Sequence, residues 1–418
     1  MKSYIQNQDK KIFEAIAGEE KRQREGLELI PSENYVSQAV LEANGSVFTN
    51  KYSEGYPGKR YYGGQDFTDA IELATIERAC KLFSCKYANV QSHSGAPANL
   101  AVYAALLQPG DTILGMDLSH GGHLTHGHPV TFPAKIYSFV RYKVKDTTTG
   151  EIDYEALRES ALKHKPKIIL AGFSAYTRNL DYKKFVEIAK EVGAITMADM
   201  AHIAGLIAGG VLENPFDAGF DIITTTTHKT LRGPRGGMIL TKDNEEIAKK
   251  IDKAVFPGLQ GGPHMQSVCA KAVAFGEADT EDFKIYAQQI LKNAKAMEEM
   301  FRENDVEMVY GGTDNHMLVV DVVKSFGIGG KEAQEKLDSI GITLNMNSIP
   351  DDSRSMLDPS GIRLGTPALT TRGFKEDGCK KVAGVMISFL REELSQKEAH
   401  EQIKALAETH ILPEVFVS

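Results

Sequence analysis

Ala194-Ile195-Thr196-Met197-Ala198 is one of five short aliphatic runs that decide the fold of this chain. Each run is rich in β-branched or aliphatic residues and is bounded by Gly, Pro or Asp, as buried strands are. Helical patterns, such as residues 180–192, lie between the runs. This alternation predicts a parallel α/β sheet that is covered by helices. The other four runs are Thr112-Ile113-Leu114, Lys167-Ile168-Ile169-Leu170, Asp221-Ile222-Ile223-Thr224 and Gly237-Met238-Ile239-Leu240.

The segments outside these runs predict the remaining organisation. Residues 45–66 are turn-rich and crowded with tyrosines, so we expect no regular element there. The other predicted elements are an amphipathic helix to about Glu25 with Ile12, Phe13 and Ile16 on one face, helices over 69–83 (Leu73, Ile76 and Leu82 inward), 98–107 and 282–304, and strands over 86–91 and 315–323. The chain therefore divides into an N-terminal arm and loop (1–66), a large α/β domain (67–280) and a smaller C-terminal α+β domain (281–418).

Composition narrows the class of protein. Of the 418 residues 42% are apolar and 25% charged, as is ordinary for a globular chain. The formal charge of −8 argues against a nucleic acid as the main partner, and no apolar run approaches the ~20 residues of a membrane span. Four cysteines are too few for a disulfide scaffold, and Cys80 and Cys85 are spaced wrongly for a zinc pair. We therefore expect a cytoplasmic protein without a metal site.

Polar residues follow the strand candidates, at the ends where open α/β sheets bind ligands. Four threonines and a histidine precede Lys229, and a partly desolvated lysine in such a polar strand end can form a Schiff base. Pyridoxal phosphate is the natural cofactor for that chemistry. Asp199 can pair with its pyridine nitrogen, and Ser94 with Gly95 at a helix start can hold its phosphate.

The longer motifs around these residues indicate a family. They are Leu29-Ile30-Pro31-Ser32-Glu33-Asn34, Asn50 to Gly55, Lys59 to Gly64, Leu118 to Gly127, Asp199 to Leu206, Thr224 to Gly237, Phe256 to Pro263, and Gly361 to Gly373. The chain resembles the serine hydroxymethyltransferases, pyridoxal-phosphate enzymes of fold type I, over essentially its whole length. That resemblance implies a mainly parallel seven-stranded sheet with a smaller C-terminal domain.

The resemblance implies an activity and a set of partners. The enzyme would interconvert L-serine and tetrahydrofolate with glycine and 5,10-methylenetetrahydrofolate, through an aldimine on Lys229 and a quinonoid intermediate. It would work as a homodimer with shared active sites, in which Gly261, Gly262 and the tyrosine-rich loop reach the neighbouring subunit's site. Two alternatives remain open at this point: a folate-independent aldolase acting on threonine-like β-hydroxy amino acids, and a non-catalytic regulatory or RNA-binding scaffold.

The resemblance also implies roles for individual residues. Catalysis would rest on Lys229, Glu54, His202, Asp199 and Thr226. The cofactor would contact Ser94, Gly95, His123, Ser174, Asp199, His202, Thr226, Lys229, Gly261, Gly262 and Tyr52. The amino-acid substrate would contact Ser32, Tyr62, Arg363 and Glu54. Tetrahydrofolate would contact Leu118, Gly122, His123, Leu124, Tyr61, Asn347 and Ser355.

A few positions depart from the family pattern. Pro31 stands where alanine is usual, and Pro97 where glutamine is usual, in the first turn of the helix that follows Ser94. Met346 replaces a lysine, and Met356-Leu357 replaces Pro-Phe. A lost lysine removes a positive charge near the folate's glutamate tail, and a lost phenyl ring removes a stacking surface. The departures therefore bear on the folate contacts more than on the cofactor contacts.

Overall fold

The computed structural model describes residues 4–410 and 412. The chain forms two compact units, a larger one over residues 39–288 and a smaller one in which residues up to Gln38 join those from Gln289 onward. Contacts therefore associate the start of the chain with its C-terminal part. The three-part division at residues 66 and 280 stays a prediction.

A seven-stranded sheet forms the centre of the larger unit. Its spatial order is β1-β7-β6-β5-β4-β2-β3, in which β2 to β6 run parallel, β7 pairs antiparallel with β6, and the edge strand β1 pairs antiparallel with β7 and so runs in the same direction as β2 to β6. The prediction of a mainly parallel seven-stranded sheet is confirmed. The strands are β1 (Tyr87–Asn89), β2 (Thr112–Met116), β3 (Ser138–Tyr142), β4 (Ile168–Gly172), β5 (Ile195–Asp199), β6 (Ile222–Thr226) and β7 (Gly237–Thr241).

Helices cover this sheet and present residues to its edges. Three of them are used below: α1 (Asp66–Phe83), α2 (Gly95–Leu106) and α3 (Met265–Ala278). Other helices with residues in this unit are Gln38–Asn44, Tyr154–His164, Tyr182–Val192, Ala204–Ala208, Pro215–Ala218, Glu245–Lys253 and Glu281–Glu303, together with single turns at Val47–Asn50, Leu118–His120, Leu124–His126, Pro133–Lys135 and Ala254–Leu259. Short antiparallel pairs join Gly55–Tyr56 to Lys59–Arg60 and Val144–Asp146 to Glu151–Ile152.

Two local predictions in this unit are wrong. Leu73 was expected to face the core, yet it is 55% exposed. The buried stripe of α1 instead includes polar residues, because Glu72 pairs with Arg60 and the Thr75 hydroxyl donates to Ile71 O. The tyrosine-rich segment does contain regular structure, since the short hairpin at Gly55–Arg60 is stabilised by that same arginine, which donates to the Gly55 carbonyl.

The smaller unit is built on a three-stranded antiparallel sheet. The strands β8 (Met317–Asp321), β9 (Asn345–Asn347) and β10 (Gly361–Gly365) have the order β8-β10-β9. The predicted strand over 315–323 ends early, because the Asp321 carboxylate caps a new helix by accepting from Lys324 N. The remaining elements are helices Tyr4–Gln8, Lys10–Glu25, Val322–Phe326, Gly330–Ser339, Pro367–Thr371, Glu376–Leu390 and Gln396–Thr409, a turn at Val309–Gly311, and a parallel pair of Leu27–Glu28 with Ile342–Thr343.

Candidate active site

The carboxylate at the end of β5 is held by three hydrogen bonds. Asp199 Oδ2 accepts from Asn99 Nδ2 at 2.8 Å and lies 3.0 Å from His126 Nε2, while Oδ1 accepts from Ala201 N at 3.1 Å. Asn99 is itself fixed, because its amide donates to Thr125 Oγ1 and accepts from Thr224 Oγ1. The carboxylate therefore has one orientation, at the carboxyl end of the parallel sheet.

The same contacts set the charge of this group. Burial on its own raises the pKa of Asp199, but the hydrogen bond and electrostatic interaction with His126, together with His123 and the Asn99 amide, lower that pKa well below its usual range. An acid held ionised inside a protein can pair with a protonated ring nitrogen and keep it protonated. The predicted role of Asp199 is chemically consistent with these contacts.

The turn before α2 is open to an anion. Ser94 is the N-cap residue of α2, but its side chain makes no capping hydrogen bond, and Gly95 is the first helical residue. A Cβ at Gly95 would lie only 2.7 Å from Thr226 Cγ2, so the close approach of these two segments requires glycine. Pro97 lies in the first helical turn, where its missing N–H would have no helical partner. The N–H groups of Gly95 and Ala96 and the Ser94 hydroxyl suit a phosphate.

Four further predicted cofactor residues lie around the ends of β5 and β6. The oxygen Ser174 Oγ is 3.5 Å from His202 Nε2, so these two side chains are brought together. Thr226 Oγ1 donates to Ala201 O at 3.4 Å. The His123 ring is centred 5.5 Å from that of His126, and its Nδ1 is 2.7 Å from Thr125 Oγ1.

Lys229 lies in a tight turn after β6. Its carbonyl accepts from Arg232 N, Gly233 N donates to Thr227 O at 2.7 Å, and Arg232 has a positive φ of 58°. The Arg232 guanidinium lies 4.4 Å from the centre of the Tyr286 ring, which stabilises the turn. Burial, with the charges of Arg235 and Lys229, lowers the pKa of the neighbouring His228 to about 3.

The predicted tyrosine and glycine residues form a second group. The rings of Tyr52 and Tyr62 meet edge to face at 5.4 Å, and the Tyr62 hydroxyl is 3.4 Å from Glu54 Oε2, whose charge raises the pKa of Tyr62. A Cβ at Gly262 would lie 3.1 Å from the Tyr52 ring, and one at Gly261 would lie 3.5 Å from Glu54 Oε1. These five residues are neighbours within one chain.

The residues predicted to bind folate are divided between the two units. In the larger unit Leu124 is part-exposed, and Tyr61 is 73% exposed with one edge against Phe256. Leu118 and Gly122 flank a tight turn after β2, where a Cβ at Gly122 would lie 2.2 Å from Met116 O. The other two residues, Asn347 in β9 and Ser355 in an exposed loop, belong to the smaller unit.

Arg363 is the buried cation of the smaller unit's sheet. It is 9% exposed, and burial lowers its pKa to about 10, so it stays charged at neutral pH. Its Nε and Nη2 donate to Asn345 Oδ1 on β9 at 3.2 and 3.1 Å. A Cβ at Gly365 would lie 2.8 Å from Pro31, and Gly365 N donates to Leu29 O. The structure thus brings the segment that precedes Ser32 alongside the strand that carries Arg363.

Sequence reasoning missed three residues of the larger unit: Asn99, His126 and Lys271. His126 lies in the motif Leu118 to Gly127, but the sequence predicted no role for it. Asn99 lies five residues after Ser94, in α2. Lys271 in α3 is 2% exposed, and its Nζ donates to the carbonyls of Val90 at 2.7 Å, Ser92 at 3.2 Å and Gly237 at 2.8 Å. Burial lowers the pKa of Lys271 to about 7, while three carbonyl acceptors favour its charged form. It links the backbone that precedes the phosphate-side turn to the start of β7.

We expect Lys271→Met to lower the free energy of unfolding by roughly 2–4 kcal/mol, because it leaves three buried carbonyls without this donor. Urea unfolding measures the change. Lys284→Met is the control, since Lys284 is exposed and, among the described residues, forms an ion pair only with Glu281 three residues earlier, so its loss should cost under about 0.5 kcal/mol. Equal effects of the two substitutions would contradict a stabilising role for the Lys271 hydrogen bonds.

The ligand atoms of His123, His126 and Asp199 lie within 4.8 Å of one another. Two of them already form the His126–Asp199 hydrogen bond, and His123 Nδ1 contacts Thr125. These contacts describe a hydrogen-bonded carboxylate. The expectation that the chain binds no metal stays a prediction.

The residues present fit pyridoxal phosphate. Its pyridinium needs an ionised carboxylate, which Asp199 provides, and that carboxylate retains acceptor capacity beyond its three donors. Its phosphate needs clustered N–H and O–H donors, which the uncapped start of α2 provides. Its aldehyde needs an amine, and Lys229 follows the adjacent strand.

Among the described residues, no helix is both long and apolar enough to cross a membrane. A family model described as serine hydroxymethyltransferase matches residues 5–386, which is most of the chain. Members of this family use pyridoxal phosphate bound covalently to a lysine, and tetrahydrofolate as co-substrate. The chain belongs to the serine hydroxymethyltransferase family, and its activity is the interconversion of L-serine and tetrahydrofolate with glycine and 5,10-methylenetetrahydrofolate.

Proposed function

We propose that Lys229 and Asp199 hold the pyridoxal phosphate on which this transferase activity depends. The observation that carries the assignment is the buried Asp199 carboxylate, kept ionised by His126 and Asn99 at the end of β5. When bound, the cofactor supplies an electron sink for the α-carbon of the amino acid. Asp199 would keep the pyridinium protonated, and Ser94 with Gly95 would bind the phosphate.

Four more side chains of the larger unit would contact the cofactor: His202, Ser174, Thr226 and His123. The Ser174–His202 pair places a hydroxyl and an imidazole beside the end of β5, where they can bind an oxygen of the cofactor or substrate. Thr226 limits the space above Gly95. His123 would cover the ring face, since its Nδ1 is tied to Thr125 and the imidazole orientation is therefore fixed.

Arg363 would bind the carboxylate of serine or glycine. A guanidinium can grip a carboxylate through two parallel hydrogen bonds, and Asn345 already fixes one edge of this one. Ser32 follows the segment that packs along β10 and would contact the same substrate. Arg363 is buried, and the attraction between opposite charges is stronger away from water, so its pairing with a substrate carboxylate would be strong.

We expect Arg363→Ala to weaken serine binding by roughly 2–5 kcal/mol, because a buried charged contact is lost. Arg363→Lys should restore binding only in part, since an ammonium lacks the planar fork. Serine titration of the holoenzyme measures the effect, and reconstitution of the apoenzyme with cofactor serves as the internal control. Unchanged serine affinity would rule out this role.

Glu54 would hold and move the proton of the serine hydroxyl. Its carboxylate lies beside the Tyr62 hydroxyl, which can donate to the ionised form and orient it. Tyr52 and Tyr62 would line the same side of the substrate. Tetrahydrofolate would lie against Leu118, Gly122, Leu124, Tyr61, His123, Asn347 and Ser355, and the part-exposed Leu124 and Tyr61 offer apolar surface for its ring system.

The protein would act as a cytoplasmic homodimer. Phe67 on α1 is 80% exposed, and Val47, Tyr61 and Leu73 also expose much of their side chains. The helix Lys10–Glu25 buries none of its residues although Ile12 and Ile16 form an apolar stripe. Apolar surface of this kind marks a protein–protein interface. In such a dimer Tyr52, Glu54, Gly261 and Gly262 would complete the site of the neighbouring subunit.

The decisive test of function is glycine formation from serine with and without tetrahydrofolate. A transferase needs the folate to accept the hydroxymethyl carbon, so we expect strong dependence on it. Equal rates would instead select a folate-independent aldolase.

A further inference from the structure

The C-terminal end of α1 brings two cysteines together. The helix ends at Ser84, which adopts the left-handed conformation with φ of 54°, and Ser84 N donates to Cys80 O. Cys85 N also donates to Cys80 O, at 3.1 Å. The second of these is the 6→1 bond of a Schellman motif, which is frequently accompanied by a contact between the side chains at its two ends, here Cys80 and Cys85. The five-residue spacing that excludes a zinc pair therefore places these thiols side by side.

The two thiols differ in their surroundings. The Cys85 thiol contacts the Tyr87 carbonyl at 3.6 Å, and its hydrogen bond with Cys80 raises the pKa of Cys85. The same hydrogen bond lowers the pKa of Cys80. Because the Cys85 S–H donates to a backbone carbonyl, which favours its protonated form, Cys80 is the thiol that reacts first and Cys85 is the neighbour that reacts second. Both side chains are only part-buried, so a small oxidant can reach them.

We propose that Cys80 and Cys85 form a peroxide-sensitive dithiol, which oxidation converts to a disulfide that closes the C-terminal turn of α1. The Cys80 thiolate attacks one oxygen of the peroxide, forming sulfenic acid and releasing hydroxide. The Cys85 sulfur then attacks the Cys80 sulfur, expelling its hydroxyl, which leaves as water with the Cys85 proton. In sum two thiols lose two electrons and two protons, and hydrogen peroxide is reduced to two waters.

Along the chain the dithiol lies between the tyrosine-rich loop and the phosphate-side turn. α1 begins beside the tyrosine-rich loop, where Asp69 and Glu72 bind Arg60. Beyond Cys85 the chain enters β1, which leads to the phosphate-side turn at Ser94. The disulfide would join the end of α1 to the start of β1 without involving any residue assigned to the site. We therefore expect the oxidised protein to keep its cofactor.

The test treats the holoenzyme with hydrogen peroxide and counts free thiols after denaturation. The wild-type chain has four cysteines, and we expect the count to fall to two, with one peptide pair 80–85 linked within the chain. Reduction should restore the original count. A count that stays at four, a linkage between chains, or sulfinic acid at Cys80 with Cys85 still a thiol would each overturn the proposal.

Serine variants separate the two roles. In Cys85→Ser the sulfenic acid of Cys80 has no resolving thiol, so a dimedone adduct should accumulate at Cys80, whereas wild type should show little. In Cys80→Ser oxidation of Cys85 should be at least several-fold slower. Cys269→Ser is the matched control, because Cys269 is also part-buried but lies in α3, and its variant should still form the disulfide. Equal adducts in wild type and Cys85→Ser would contradict a resolving role.

Discussion

Lys229→Ala should lower activity by roughly 10⁴-fold or more, which is the loss seen when a covalent catalytic group is deleted. Lys229 lies in the turn that follows β6, whereas Lys271 in α3 is committed to three backbone carbonyls. The cofactor should still bind weakly, through Asp199 and the Ser94 turn. Activity assay and cofactor titration together separate these two effects.

Borohydride reduction followed by peptide mass analysis provides the direct readout. In the wild-type protein we expect a pyridoxyl group fixed at residue 229, and in Lys229→Ala none. Lys250→Ala is the control, because Lys250 is exposed and its one ion pair within the described part of the chain is with Glu246, one turn away. A mutant that still fixed the cofactor at full occupancy would show that another amine holds it.

The parts of this site that sequence could predict are those carried by local signals. Asp199 and Lys229 each follow a recognisable strand, and parallel strands must end at one edge of the sheet. Ser94 and Gly95 stand at a helix start that is visible in the sequence. These residues could be proposed from the sequence because each signal depends on a few neighbouring positions.

The parts that sequence could not supply depend on distant pairings. Asn99 lies 100 residues before Asp199, and His126 lies 73 residues before it, so no local pattern links either to that carboxylate. The prediction that Leu73 faces the core was wrong for a related reason. Periodicity assigns apolar residues to the core, but here the Glu72–Arg60 pair occupies the buried side of α1. A partner outside the helix decided which face is covered.

Asp199→Asn should lower kcat by roughly 100- to 1,000-fold, because the substitution keeps the shape of the side chain but removes its charge. The substitution should also lower the stability of the protein, because it disrupts the hydrogen bonds of Asp199. Both oxygens of Asp199 accept, one from Ala201 N and the other from Asn99 and His126. An amide presents one NH₂ in place of an oxygen, so one donor must face another donor, which costs about 1–3 kcal/mol.

The control for Asp199→Asn lies at the other end of the same strand pair. Asp221 precedes β6, and its Oδ2 accepts from Thr196 N at 2.8 Å and Thr196 Oγ1 at 2.7 Å. Both donors reach the same oxygen, so Asp221→Asn can keep these hydrogen bonds through its amide oxygen and removes only the negative charge that strengthens them, in a place where no cofactor group is assigned. It should therefore lower stability while kcat and the cofactor's absorbance stay near wild type. Because Asp199→Asn should change stability, kcat and absorbance together, a variant that lost only stability would leave Asp199 a structural residue and not the partner of the ring nitrogen.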